Sequence, residues 1–286
     1  MRRLLSALAT LLVATALWAQ TEAPKTPFPY PVAPDTCTTL ESRCDYILQH
    51  FWDNYDITRP ITDEQAFETA FRDFVTFFRY ANRNIVMSTI RDFMFKARSN
   101  SANLLKIGAV AERALYSTTA EFWSDEVYVE FARALADNKT LKKDVRQYYA
   151  EQIARINQNQ IGAVIADIEY YDADGKKVRI SDIPGEGYFI LFTDKGIDSS
   201  IARARLSADV NINALADGGK IVVVNILLAD YERSWADGMP KNWVNLCSNR
   251  AAGQFDLREV PCCYIIDKER RLLQKNINID QLKSVF

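Results

Sequence analysis

The chain has 286 residues, 48% hydrophobic and 25% charged, with 35 basic against 37 acidic side chains and a net charge of −2. This content supports a sizeable core in two domains and excludes a disordered chain. The basic residues form no long cluster, so nucleic acid is not an expected partner. The single histidine, His50, excludes HExxH and multi-histidine metal sites and leaves a Ser-His-Asp hydrolase only one base.

The opening MRRLLSALATLLVATALWAQ sets Arg2 and Arg3 before an apolar run from Leu4 to Ala16, with the small Ala19 available for cleavage. That is the pattern of a secretory signal peptide over residues 1–19. The run falls short of the roughly 20 apolar residues a membrane span needs, and no later segment approaches it. The expected product is therefore periplasmic or secreted, with no span once the signal is removed. No cysteine near the cleavage region offers a lipoprotein anchor. Loss of Arg2 and Arg3 leaves 33 basic against 37 acidic side chains. Residues 20–36 read as an extended linker.

From Thr38 to about Asn157 the apolar residues recur at helical spacing with few Gly or Pro, and roughly five or six helices fit. The first is expected over Cys44–Asp56, with Thr38 and Glu41 forming a capping box ahead of it. A second follows Pro60, capped by Thr62, with Ala66, Phe67, Ala70, Phe71, Phe74 and Phe77 as its stripe. Others are expected over residues 84–98, 104–116, 124–137 and 141–156, making residues 37–158 a helical bundle or layered array. The dense aromatic residues fit core stripes; an exposed subset would instead bind a glycan or a small ligand.

Export favours a disulfide between Cys37 and Cys44, while a helix starting at Thr38 would hold their Cα atoms about 10 Å apart, beyond bridging reach unless Cys37 folds back. A zinc site of Cys37, Cys44 and His50 would lack a fourth ligand, and His50 reads better as a helix-packing residue with a hydrogen bond. No cofactor motif is present.

Past Asn157 the pattern changes to short strands, which places a domain boundary there and makes residues 159–286 a second domain. Residues 161–183 read as a β-hairpin around Asp174-Gly175, and 188–192 as a buried strand. A helix from about Asp198 to Ala216 and a strand over 220–229 complete a strand, helix, strand unit, which implies parallel pairing with a right-handed crossover. Residues 241–252 read as helical, 260–275 as a proline-opened strand folded into a second hairpin, and 280–286 as a last helix capped by Asn278.

This order of elements, with Val260-Pro261 directly before the third core strand, resembles the thioredoxin-like fold. The segment DADGKKV, Asp172 to Val178, with Ser181-Asp182 after it, is similar to the exported thioredoxin-like reductases related to peroxiredoxins. So is VPCCYIID, Val260 to Asp267. The resemblance implies that Pro261 is a cis-proline facing the redox site. It also implies that Phe192-Thr193-Asp194 leads into a C-x-x-C, whose two positions fall on Ile197 and Ser200; the dithiol is absent. In that family the thiolate is favoured by the helix dipole and the unpaired amides of the helix N-terminus. The whole chain further resembles an exported Bacteroidetes-type family of uncharacterised proteins that joins a helical domain to a thioredoxin-like domain. HFWDNYD, His50 to Asp56, carries that likeness.

The expected architecture is thus an N-terminal all-helical domain followed by a thioredoxin-like α/β domain with a mixed central sheet. The leading expectation for function is a non-catalytic exported protein that binds a protein, a peptide or another surface component. One alternative is an atypical thiol-disulfide oxidoreductase using Cys262, placed beside Ile197 and Ser200, with Cys247 on a helix or with the neighbouring Cys263. Another is glycan or small-ligand binding by the helical domain.

Overall fold

The computed structural model describes residues 26–278. The expected signal peptide and the helix expected over residues 280–286 lie outside them.

Six α-helices form the first region: α1 Leu40–His50, α2 Glu64–Thr76, α3 Arg83–Ala97, α4 Ser101–Ala111, α5 Asp125–Ala136 and α6 Lys143–Gln158. Their starts are set by side-chain caps. Thr39 and Ser42 cap α1 reciprocally, one residue past the expected Thr38–Glu41 box, and Asp63 rather than Thr62 accepts the free amide of Ala66 at α2. The chain leaves the α1 helix at Phe51 instead of continuing to Asp56, because residues 51–54 turn to bring Phe51 and Trp52 inward. The stripe on α2 behaves as its spacing requires: Phe67, Ala70, Phe71 and Phe74 are all buried in one core with Phe93 and Phe131.

Two features of this region were not legible in the sequence. The stretch preceding α1 is extended but packed, since Phe28 is buried against Phe51, Trp52 and Tyr55, and the Tyr30 hydroxyl donates to Asp73 at 2.8 Å. Asn103 is 1% exposed and clips the loop between α1 and α2, donating to the carbonyls of Ile57 (2.6 Å) and Arg59 (2.7 Å) while accepting from the amide of Ile61 (3.0 Å). An asparagine there satisfies three buried backbone groups that an apolar side chain would leave unpaired.

The second region is a seven-stranded sheet among the described residues: β1 Tyr170–Tyr171, β2 Lys177–Val178, β3 Gly187–Thr193, β4 Val222–Leu227, β5 Val244–Cys247, β6 Cys262–Asp267 and β7 Leu272–Ile277. Its order is β2-β1-β5-β4-β3-β6-β7, with β3, β4 and β5 parallel and the rest antiparallel. The first hairpin turns where expected, at Gly175, whose φ of 81° suits glycine.

The expected single helix over 198–216 is two, α7 Ile197–Ser207 and α8 Val210–Asp217, because the Asp209 carboxylate caps a new start by accepting from the amides of Asn211 and Ile212 at 3.0 Å. Residues 241–252 are not helical as expected; pairing with β4 draws Val244–Cys247 into a strand, and only Ala251–Gln254 forms a helix, α9.

Side chains alternate along β3 and β6. Ile190, Phe192, Cys262 and Tyr264 enter one core with Phe255 and Leu246, while Phe189, Leu191 and Cys263 enter the other with Leu206 of α7 and Ile212 of α8.

Candidate functional site

The resemblance sets the candidate site where β3 ends and α7 begins. Gly196 is the N-cap, Ile197 is the first helical residue at 72% exposure, and Ser200 is also exposed. The turn between them is closed by Asp194, whose Oδ1 accepts from the Gly196 amide at 2.8 Å and from the buried Ser199 hydroxyl at 2.5 Å. The Ser199 oxygen in turn accepts from the Asp194 amide at 3.0 Å. The Ser199 hydroxyl, together with the Gly196 amide, holds the Asp194 carboxyl below the usual aspartate range. The Ser200 hydroxyl donates to the Gly196 carbonyl (3.3 Å) and accepts from Arg203 (2.9 Å). Neither Ile197 nor Ser200 carries a thiol.

The Val260–Pro261 peptide is cis. Phe192 pairs with Cys262 and Leu191 with Cys263, so the next step of this register sets Pro261 beside Thr193, at the mouth of the same turn. From Thr193 a partly buried polar chain runs across three strands. Thr193 Oγ1 donates to Asn225 Oδ1 (3.0 Å), Asn225 Nδ2 to Asn245 Oδ1 (3.3 Å), and Asn245 Nδ2 to the Pro240 carbonyl (2.8 Å). It runs from the carboxyl end of β3 through the middle of β4 to the start of β5. Sequence reading missed it, although an asparagine inside VVVNIL, the sequence of β4, is the visible signal.

The cysteines do not assemble as the redox alternative requires. Cys262 points into the core beside Phe192, on the face opposite α7, and it is Cys263 that lies on the α7 side; the expected proximity of Cys262 to Ile197 and Ser200 is therefore corrected by strand alternation. Burial pushes both thiols well above the ordinary range, Cys263 being 0% exposed. Cys247 sits on β5 rather than on a helix, and burial, with Asp230 nearby, pushes its thiol up to about 11. Between β5 and β6 stand β4 and β3, which puts Cys247 about 14 Å from Cys262 or Cys263 at the usual strand spacing, too far for a bridge.

All five cysteines are free, Cys37 and Cys44 included. Cys44 is buried inside α1 while Cys37 lies before its start, where its carbonyl accepts from Arg43 at 2.9 Å. His50 does not pack in the core; its Nδ1 pairs with Asp53 at 2.8 Å on the surface, and no cluster of metal-ligating side chains occurs among the described residues.

The loop leading to Pro261 is gripped by residues of the helical region and of β7. Asp256 is 0% exposed and accepts from the Tyr116 hydroxyl (2.7 Å), Lys275 (2.7 Å) and Arg258 (2.9 Å). Lys275 also reaches Asp125 at 2.7 Å, and Arg258 bonds both Asp125 and the Tyr116 carbonyl (2.8 Å). The Arg258 guanidinium lies 3.9 Å from the Tyr116 ring centroid and 4.4 Å from that of Trp123.

Tyr116, Trp123 and Asp125 belong to the helical region, so two carboxylates and two cations form a neutral buried quartet across the junction. Burial opposes ionisation of Asp125 and Asp256, but Arg258 and Lys275 outweigh it and hold both carboxyls below the usual range. A π-helical turn, Glu112–Tyr116, ends α4 and delivers Tyr116 to this place, where its ring stacks on Tyr128 at 4.5 Å.

The family model described as Domain of unknown function (DUF5106) matches residues 14–159, just over half of the chain. The chain belongs to the DUF5106 family. The match spans the helices and ends where the sheet region begins.

A solved thioredoxin-like protein from Bacteroides caccae superposes with a TM-score of 0.76 over 92% of this chain and 98% of its own, at 19% identity. This DUF5106 chain thus has a thioredoxin-like fold behind its helical region. The C-terminal domain of an uncharacterized protein from Bacteroides fragilis matches 45% of the chain and 97% of its own, with a TM-score of 0.41 at 20% identity. The thioredoxin domain of a thiol-disulfide oxidoreductase from Bacteroides vulgatus matches 44% and 94%, with a TM-score of 0.37 at 18% identity. No curated protein matches. Among the described residues no helix is long and apolar enough to cross a membrane.

Proposed function

We propose that this DUF5106 chain is an exported, non-catalytic thioredoxin-like protein whose work is binding a protein or peptide in the periplasm. The observation that carries this reading is the occupant of the α7 N-terminus: an exposed isoleucine and an exposed serine stand where the resemblance sets the two thiols. The helix end and its amides are kept, but there is no sulfur for them to activate. The three cysteines of the sheet are buried, and those on β5 and β6 are too far apart to pair. Export is supported by the charged and apolar pattern of residues 1–19. A binding role is supported by what the turn offers instead: Ile197 and Ile201, one helical turn apart and 72% and 48% exposed, form an apolar edge at the start of α7.

The test is insertion of the missing pair. Wild type should reduce a disulfide substrate such as insulin no faster than an ordinary thiol, whereas Ile197→Cys with Ser200→Cys should form a bridge and gain measurable exchange, each single variant gaining little. Efficient reduction by the wild type would refute the non-catalytic reading, and a folded double variant unable to bridge would refute the assignment of these two positions.

A further inference from the structure

One cleft of the helical region has no part in the α7 site. It has a volume of about 660 Å³ and lies between the C-terminal halves of α3 and α5. That is within the size range of small-molecule sites. Its floor is apolar: Met94 is 2% exposed, and Ala134 faces it from α5. On the α3 wall Phe95 is 59% exposed, although its neighbour Phe93 is 2% exposed and most other phenylalanines here are buried.

Three arginines, Arg91, Arg98 and Arg133, and two acids, Glu130 and Asp137, surround this apolar strip. Arg133 and Glu130 neutralise each other at 3.3 Å. Arg91 and Arg98 pair with no carboxylate among the described residues, so the cleft keeps a net positive charge. Arg98 is held ready: its guanidinium lies 3.6 Å from the Phe95 ring centroid, and its carbonyl is tied to Asn138 across the groove at 3.3 Å. A stacked guanidinium keeps its N–H edges free, and that fixed fork suits a carboxylate or sulfonate.

We propose that this cleft binds an amphipathic organic anion, its apolar body lying on Met94, Phe95 and Ala134 and its carboxylate or sulfonate held between Arg91 and Arg98. The arrangement favours an anion with an apolar body over a bare ion, which would leave the apolar floor in water, and over a neutral hydrocarbon, which would leave the arginines unmatched. It is independent of whether α7 carries any redox chemistry.

The probe is 1-anilinonaphthalene-8-sulfonate, followed by its fluorescence on the folded chain, with N-phenyl-1-naphthylamine as the same rings without the sulfonate. One saturable site should bind the sulfonate, more weakly as salt rises. Arg98→Gln and Arg91→Gln should each weaken the sulfonate about tenfold and change the neutral probe less than twofold. Ala134→Gln should weaken both probes. Both arginines are on the surface, so folding should persist, and far-UV circular dichroism checks it. Equal affinity of wild type for the two probes, or sulfonate binding within twofold of wild type in both arginine variants, would overturn the proposal.

Discussion

Replacing Arg258 by methionine tests whether the buried quartet is what joins the helices to the sheet. The Arg258 side chain is 2% exposed and Asp256 0%, so removing the guanidinium changes a neutral cluster into a buried one with a net negative charge. Two ion pairs and the bond to the Tyr116 carbonyl are lost, while Lys275 still bridges both carboxylates and the methionine stem keeps contact with the Tyr116 and Trp123 rings. Breaking a buried pair by deleting one partner costs about 3–5 kcal/mol, and the surviving Lys275 argues for the lower end, about 3 kcal/mol. Adding Asp125→Asn restores one charge of each sign, so the double variant should be more stable than the two single losses added together, by about 1 kcal/mol or more. Urea unfolding followed by circular dichroism and by tryptophan emission measures this, Trp123 reporting from the junction itself. A loss below about 1 kcal/mol for Arg258→Met, or strict additivity of the two substitutions, would refute the reasoning.

The acid limb carries a sign. Asp125 and Asp256 are held below their unfolded pKa of about 3.9, so the quartet contributes fully above about pH 4 and its contribution fades as pH falls further. The wild type should therefore lose more stability than Arg258→Met between pH 4 and pH 2, as acid-unfolding curves would show. In alkali the burial of Cys247 acts in the opposite sense. Its thiol titrates near 11 in the folded chain against about 8.5 unfolded, so stability should decline as pH rises through that window, and Cys247→Ala should flatten the decline. Asn103→Leu leaves two carbonyls and one amide of the loop after α1 without partners and should cost about 2–3 kcal/mol in the same urea assay. The proposed boundary after α6 should be the first site of limited proteolysis, near the 61% exposed Ile161, and the two fragments should stay associated in wild type but separate on gel filtration in Arg258→Met.

What could be read from the sequence depended on how local its cause was. The helices with strong apolar stripes, the Gly175 turn and the β3, α7, β4 unit follow from spacing and turn chemistry within a few residues. Residues 241–252 failed because their apolar residues fit a helical period as well as a strand, and only pairing with β4 decides between the two. The quartet was beyond reach for a related reason. Asp125, Asp256, Arg258 and Lys275 look like ordinary surface charges, and contacts spanning 133 to 150 residues of sequence bring this group and Tyr116 together. The assignment of Ile197 and Ser200 to the two thiol positions rests on the resemblance alone, since nothing about them as residue types marks them.

The α7 turn is closed mainly through residues other than those at 197 and 200. Its closing bonds run through Asp194, Ser199 and the Gly196 amide, with Ser199 buried, whereas the side chains at 197 and 200 point to solvent. Stability and chemistry are carried by different residues of one turn, so substitution at the two exposed places should cost the fold little, while Ser199→Ala, which leaves the Asp194 amide without its acceptor, should cost about 1–3 kcal/mol. A surface whose shape is fixed by one set of residues and whose contact groups come from another is free to change those groups without losing its shape. If Ile197→Cys with Ser200→Cys proved more disruptive than Ser199→Ala in urea unfolding, that separation would not hold.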